Sequence, residues 1–149
     1  ARMRKEHPEV EFVDPEDIYS MEVDVFSPCA LGAVLNSNTI PKLNAKIVAG
    51  TANNVLDEEN VHGPMLKERG ILYAPDFVIN AGGVINVYHE MHTYNVDEVK
   101  WEISKIYDRL IKIYEIAKNE DVHTQAAAKV FARERMLTIS MLRTNYIPR

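Results

Sequence analysis

The sequence is short of cysteine, of positive charge, of glycine-rich turns and of long apolar runs, and each shortage excludes something. Cys29 is the single cysteine, so an internal disulfide is ruled out and a reducing cytoplasm is the compartment that fits. No apolar run approaches the roughly 20 residues of a membrane-spanning helix. The basic start Ala1-Arg2-Met3-Arg4-Lys5 has no apolar segment behind it and does not read as a secretory signal. With 22 acidic against 17 basic residues the net charge is −5, which argues against nucleic acid or an anionic membrane as partner. The six glycines lie at 32, 50, 63, 70, 82 and 83, and no set of them spells G-x-G-x-x-G, the turn that cradles a dinucleotide pyrophosphate. Repeats, low-complexity tracts and flexible linkers are missing as well. The first residue is Ala rather than Met, which leads to the expectation that sequence has been lost upstream.

What is present is ordinary globular material, 46% hydrophobic and 26% charged, in a length that fits one domain with a real core. Glu9–Val13 alternates and reads as a strand, and Glu22–Phe26 as a second, ended by Ser27-Pro28. Ala30–Leu35 is expected to be a short helix, and Thr39-Ile40-Pro41 a helical turn. The β-branched run to Ala49 is a strand, followed by the loop Thr51–Asn54. Asp57–Arg69 reads as a surface helix closed by Gly70. Ile71-Leu72-Tyr73 is a further strand, and a glycine-interrupted helix runs from there to about Met91. Strands alternating with helices imply a parallel sheet with crossovers.

Beyond Asn95 no strand signal returns. Asn95-Val96-Asp97-Glu98 resembles a capping box, and Val99, Ile103, Ile106, Leu110, Ile113 and Ala117 then recur at helical spacing to about Asn119. Thr124 caps a second helix, whose buried side is expected to be Ala127, Val130, Phe131, Leu137 and Met141.

The organising stretch is Ile71–Met91. A short apolar strand closes at Ala74-Pro75, and Asn80-Ala81-Gly82-Gly83 then interrupts apolar character before Val84, Ile85 and Val87 resume it. Paired glycines are kept where backbone must turn sharply or approach something closely. Lys46–Asn54 makes a similar statement: a β-branched strand ends in small residues and presents two carboxamides. An open α/β sheet places such strand ends around a bound nucleotide.

Three pieces, Pro28–Asn36, Ala49–Asn54 and Tyr73–Val87, occur in this order and together closely resemble the C-terminal part of the leucine, valine and phenylalanine dehydrogenases, NAD-dependent enzymes related to glutamate dehydrogenase. The resemblance runs from about Val10 to near the end and is closest to the leucine enzymes. It implies an α/β fold: the second half of a doubly wound, Rossmann-type parallel sheet followed by C-terminal helices. Residues 1–77 would be a partial dinucleotide-binding domain, and 78–149 a hinge helix with a C-terminal helical segment. The complete enzyme would oxidatively deaminate an L-amino acid to a 2-oxo acid. The pyrophosphate turn, the acidic ribose residue and the catalytic lysines and aspartate would all lie upstream, so no catalytic residue is expected here. The chain would be inactive without an N-terminal substrate domain, and the family's surfaces form homo-oligomers.

Residue by residue, the resemblance implies that the Cys29-Ala30-Leu31 backbone lies along the adenosine or ribose side of NAD, although alone these residues read as a packed helix start. Thr51 and Ala52 belong to the cofactor loop. Asn53 would reach the nicotinamide ribose or the substrate; a carboxamide pair in a loop is otherwise most simply a turn. Asn80 would face the nicotinamide. Gly82 and Gly83 would let backbone approach the cofactor, against the plainer reading of a helix kink. Val84 and Val87, three apart on one helical face, would line the pocket for the substrate side chain, where the default for any valine is core. The glutamate-specific relatives have a serine at the position matching Val87. Valine cannot hydrogen-bond a carboxylate, and burying that charge unpaired costs several kcal/mol or more. An aliphatic substrate is therefore expected, with phenylalanine or glutamate as alternatives.

A reading from another class keeps the chain as a non-catalytic nucleotide-binding or oligomerisation module. His89 and His92 superficially resemble a metalloprotease helix, but that site needs histidines four apart, and no metal is expected. Asp57-Glu58-Glu59 is most simply an acidic helix start.

Overall fold

The computed structural model describes residues 2–144, with side chains to Met141. Three short strands, β1 (Val23–Phe26), β2 (Ala45–Val48) and β3 (Leu72–Tyr73), form a parallel sheet in the order β1-β2-β3. Val25 pairs with Ile47 and Phe26 with Val48, while Val48 pairs with Tyr73 on the other side. The helices are α1 (Arg2–Glu6), α2 (Glu59–Glu68), α3 (Asp76–Ile79), α4 (Gly82–Glu90), α5 (Val96–Asn119) and α6 (Thr124–Thr144). Among the described residues no helix is long and apolar enough to cross a membrane.

Each strand contributes its inward residue, Phe26, Val48 or Tyr73, to a core that also holds Leu35, Ile40, Leu43, Val55 and Leu66. Leu66 comes from α2, the crossover between β2 and β3, and Gly70 at φ +69 ends that helix as the sequence requires. Outward-facing Val25 and Leu72 are exposed. A second cluster, Ile113, Ala117, Ala127 and Ala128, joins α5 to α6. Its small residues let the two helices lie close. Asn95 caps α5 by accepting the N–H groups of Asp97 and Glu98.

Polar contacts fasten α6 to α2. Glu59 accepts a hydrogen bond from Gln125 Nε2 at 2.8 Å and pairs with Lys129. Lys67 Nζ lies 2.7 Å from Asp121 Oδ1. The His123 ring rests where a Cβ on Gly63 would have to be, and its Nδ1 accepts the N–H of Ala126 at 3.4 Å.

Four expectations are corrected. Glu9–Val13 is not a strand: among the described residues no partner strand lies beside it, and Val10 and Phe12 remain exposed, with Arg4 stacked over the Phe12 ring. An alternating pattern without a ladder partner has nothing to bond its backbone. Ala30–Leu35 is not a helix. Ala33 sits at φ +56, and the segment spends its hydrogen bonds across the chain, Ala33 N–H to Asn54 O at 2.7 Å and Leu35 N–H to Val55 O at 3.0 Å. The single helix expected through Met91 is two, α3 and α4, broken at Asn80-Ala81, so Gly82 and Gly83 open a helix rather than kink one. Leu137 and Met141 are not buried: from Ala132 to the end of the described side chains α6 is exposed.

Candidate functional site

The C-terminal ends of the parallel strands feed three loops that meet. Beyond β1 comes Ser27–Val34, beyond β2 comes Ala49–Val55, and beyond β3 comes Ala74-Pro75 and α3. Two glycines bring the first pair of loops together. A Cβ on Gly50 would lie 2.1 Å from the carbonyl oxygen of Pro28, and one on Gly32 would lie 2.7 Å from that of Asn53. Only a residue without a side chain permits these approaches. Ala52 N–H then donates to Pro28 O at 3.0 Å.

The third loop is tied in by a buried acid. Asp76 accepts the N–H of Val55 through Oδ2 at 2.9 Å and that of Phe77 through Oδ1 at 2.8 Å. Its own N–H contacts the Tyr73 hydroxyl at 3.3 Å. Burial, reinforced by the Asp76 charge, pushes the Tyr73 phenol well above its ordinary range, so it stays protonated.

These ties set Asn53 opposite Asn80, whose Nδ2 donates to Asn53 Oδ1 at 2.5 Å. Around this pair opens a cleft of about 620 Å³, lined by Thr51, Asn53, Ile79, Asn80, Gly82, Gly83, Val84 and Val87. Val84 and Val87 are 75% and 54% exposed, so neither belongs to the core. One wall of the cleft is therefore apolar, one presents two carboxamides, and the floor between them is glycine. Nothing lies within 4 Å of where a Cβ on Gly83 would stand, so the absence of a side chain there leaves open space.

The remaining expected positions fall outside the cleft. Ala30 and Leu31 are exposed nearby, and Ala52 is buried in the core with its N–H committed to Pro28. Cys29 is exposed beside Ser27, Oγ to Sγ 3.4 Å. Hydrogen bonds from Ser27 and then Thr51 favour its thiolate and lower the thiol pKa from 9.0 to about 7. Thr51 thereby joins Cys29 to the cleft rim. Sequence reasoning missed Asp76, Ile79 and the packing roles of Gly32 and Gly50. The one signal for Asp76 was an acid inside an otherwise apolar strand–turn–helix. Among the described residues no three His, Cys, Asp or Glu side chains converge as a metal ion would need.

The sequence model of the Glutamate/Leucine/Phenylalanine/Valine dehydrogenase family matches residues 1–145. The chain belongs to this family. Over 124 residues, 83% of this chain, it is 54% identical to an L-tryptophan dehydrogenase of Nostoc punctiforme, covering 35% of that protein. It is 49% identical over 137 residues, 92% of this chain, to a leucine dehydrogenase of Thermoactinomyces intermedius, covering 37% of it. The crystal structure of L-tryptophan dehydrogenase from Nostoc punctiforme superposes with a TM-score of 0.82 at 52% identity, over 85% of this chain and 38% of that one. The α/β architecture read from the sequence is thus that of the family. The chain spans little more than a third of the length of the relatives it matches.

Proposed function

We propose that this chain is the nicotinamide-side portion of an NAD-dependent L-amino acid dehydrogenase that oxidatively deaminates leucine or another branched-chain amino acid. The observation that carries the reading is the convergence of Thr51, Asn53, Asn80, Gly82, Val84 and Val87 on one cleft at the ends of parallel strands. That is where open α/β sheets bind nucleotides. The donor set suits one half of the cofactor. Two carboxamides match the hydrogen-bonding pattern of a nicotinamide carboxamide and ribose hydroxyls, and the glycine floor admits a flat ring. Neither a G-x-G-x-x-G turn nor a cationic side chain lines the cleft for a pyrophosphate. When bound, NAD supplies the hydride acceptor; the residues here bind and orient it.

In this reading residues 1–77 are a partial dinucleotide-binding domain and 78–149 a hinge helix with a helical tail. Cys29, Ala30 and Leu31 follow the adenosine or ribose side by their backbone, Ala52 belongs to the cofactor loop, and Thr51 sits at the rim. Val84 and Val87 take the substrate side chain, and a carboxylate-bearing side chain would meet no partner on their face. The lysines and acid that carry deamination belong to an upstream substrate domain. The working assembly is a homo-oligomer, and the exposed thiol of Cys29 fits a reducing cytoplasm. The 54% identity to a tryptophan dehydrogenase favours, as a second reading, a larger apolar side chain.

The test is NADH production with L-leucine, L-valine, L-phenylalanine, L-tryptophan and L-glutamate. The chain is offered first by itself and then fused behind the upstream part of a leucine dehydrogenase relative. No turnover alone, and turnover of apolar substrates over glutamate in the fusion, is expected. Turnover by the chain alone would refute the assignment of the catalytic groups to sequence upstream.

A further inference from the structure

The geometry points to a second binding site: a groove between α5 and α6 that takes a compact polyanion of the diphosphate or triphosphate class. Lys105, Arg109 and Lys112 fall at i, i+4 and i+7 and therefore line up along one face of α5. Arg135 of α6 closes the same groove, of about 400 Å³, with Phe131 beside it. Trp101, one turn before Lys105, stands at the end of the row, and Lys105 Nζ lies 4.5 Å from its ring centroid.

Four cations thus converge in a chain whose net charge is −5. Among the described residues none of the four has a carboxylate within ion-pair distance. Two acids share the groove, Asp108 and Glu102, the latter 3.5 Å from His89 Nε2, and Glu134 lines the adjoining hollow with Lys112 and Arg135. Like charges held together on helices repel unless something neutralises them. The two carboxylates of the groove leave half of that charge uncompensated. A diphosphate or triphosphate carries several charges on a frame small enough for the groove, and the two guanidinium groups can each grip phosphate oxygens in bidentate fashion. The groove runs toward Phe77, Val78 and Ala81, which face α5 and α6, whereas Ile79, Asn80 and Gly82 face the cleft. It therefore lies on the other side of α3 from the carboxamide pair, and the inference does not depend on what the cleft binds.

Trp101 is the only tryptophan, so its fluorescence reports on this groove without labelling. Sodium pyrophosphate and sodium triphosphate would be titrated into the full chain at constant ionic strength held with sodium chloride. A saturable change in emission is expected. Affinity should fall at least tenfold in Arg109→Gln/Arg135→Gln and rise in Asp108→Asn, with far-UV circular dichroism unchanged in both. The rise is a result that a folding defect would not produce. A change that merely scales with added salt, or an affinity unaltered in the double variant, would overturn the site.

Discussion

The carboxylate of Asp76, buried at the start of α3, accepts the backbone N–H of Val55 at 2.9 Å across 21 residues of chain. This one bond ties the loop that carries Asn53 to the helix that leads to Asn80. Asparagine at position 76 would keep one acceptor and aim an NH₂ at a second N–H donor. Asp76→Asn is therefore expected to lose about 2–3 kcal/mol of stability, the cost of weakening a charged hydrogen bond and stranding a buried donor. Urea denaturation followed by circular dichroism measures it. A loss below about 0.5 kcal/mol would mean the loop is held by its other contacts.

Two glycines near the cleft should respond oppositely to alanine. At Gly50 the new methyl meets the Pro28 carbonyl oxygen at 2.1 Å and the Pro28 nitrogen at 2.6 Å, both backbone atoms that cannot swing away. Gly50→Ala should cost about 3 kcal/mol or more, at the upper end of overpacking effects. At Gly83, within α4, the methyl meets nothing within 4 Å. Gly83→Ala should stabilise the chain by about 0.4–1 kcal/mol by restricting the unfolded state. It should also weaken NADH binding, because the methyl stands in the cleft. Thermal melts and NADH fluorescence titrations of both variants read the two effects separately; equal destabilisation by both would contradict the assignment of open space at Gly83.

The Cys29 thiol, lowered to about 7 by Ser27 and Thr51, should be half ionised near neutral pH. Since the thiolate is the nucleophile, its alkylation by iodoacetamide should rise through pH 6–8 and level off above. A thiol left at the ordinary 9.0 would still be climbing there. Ser27→Ala and Thr51→Val should each move the midpoint upward. If Cys29 follows the adenosine side of the cofactor, NADH should slow the reaction at fixed pH.

The seam between α2 and α6 should fail in acid, and in two steps. Burial holds the His123 pKa below 6.5, so the unfolded state takes up its proton first; that stability is complete above about pH 6.5 and is lost as pH falls through the folded value. Protonation also removes the Nδ1 lone pair that accepts the Ala126 N–H. The hydrogen bond from Lys129 holds Glu59 below its ordinary 4.5, so its contribution is present above that value and lost at lower pH. Melting temperature between pH 8 and 4 should fall first below 6.5 and again below 4.5. His123→Asn should remove the first step and Glu59→Gln the second.

What was legible in the sequence was local. β-Branched runs ending at Phe26, Val48 and Tyr73 gave the three strands, and alternation with α2 made the sheet parallel. The period of three and four from Val99 to Ala117, with Asn95 as cap, gave α5. Asn53, Asn80, Val84 and Val87 are singled out by the family resemblance; by themselves the amides read as a turn and the valines as core. Tertiary structure decided the rest. Ala30–Leu35 has helical composition, yet it forms an irregular, bent segment because Val55 and Asn54 offer it hydrogen bonds across the chain and Gly32 lets it approach. Glu9–Val13 has strand alternation and, among the described residues, no neighbour to pair with. Leu137 and Met141 keep the period of a buried face, yet both are exposed. Asp76 shows the same division: its identity is a letter in the sequence, while its role exists only because folding buries it where two N–H groups 22 residues apart need an acceptor.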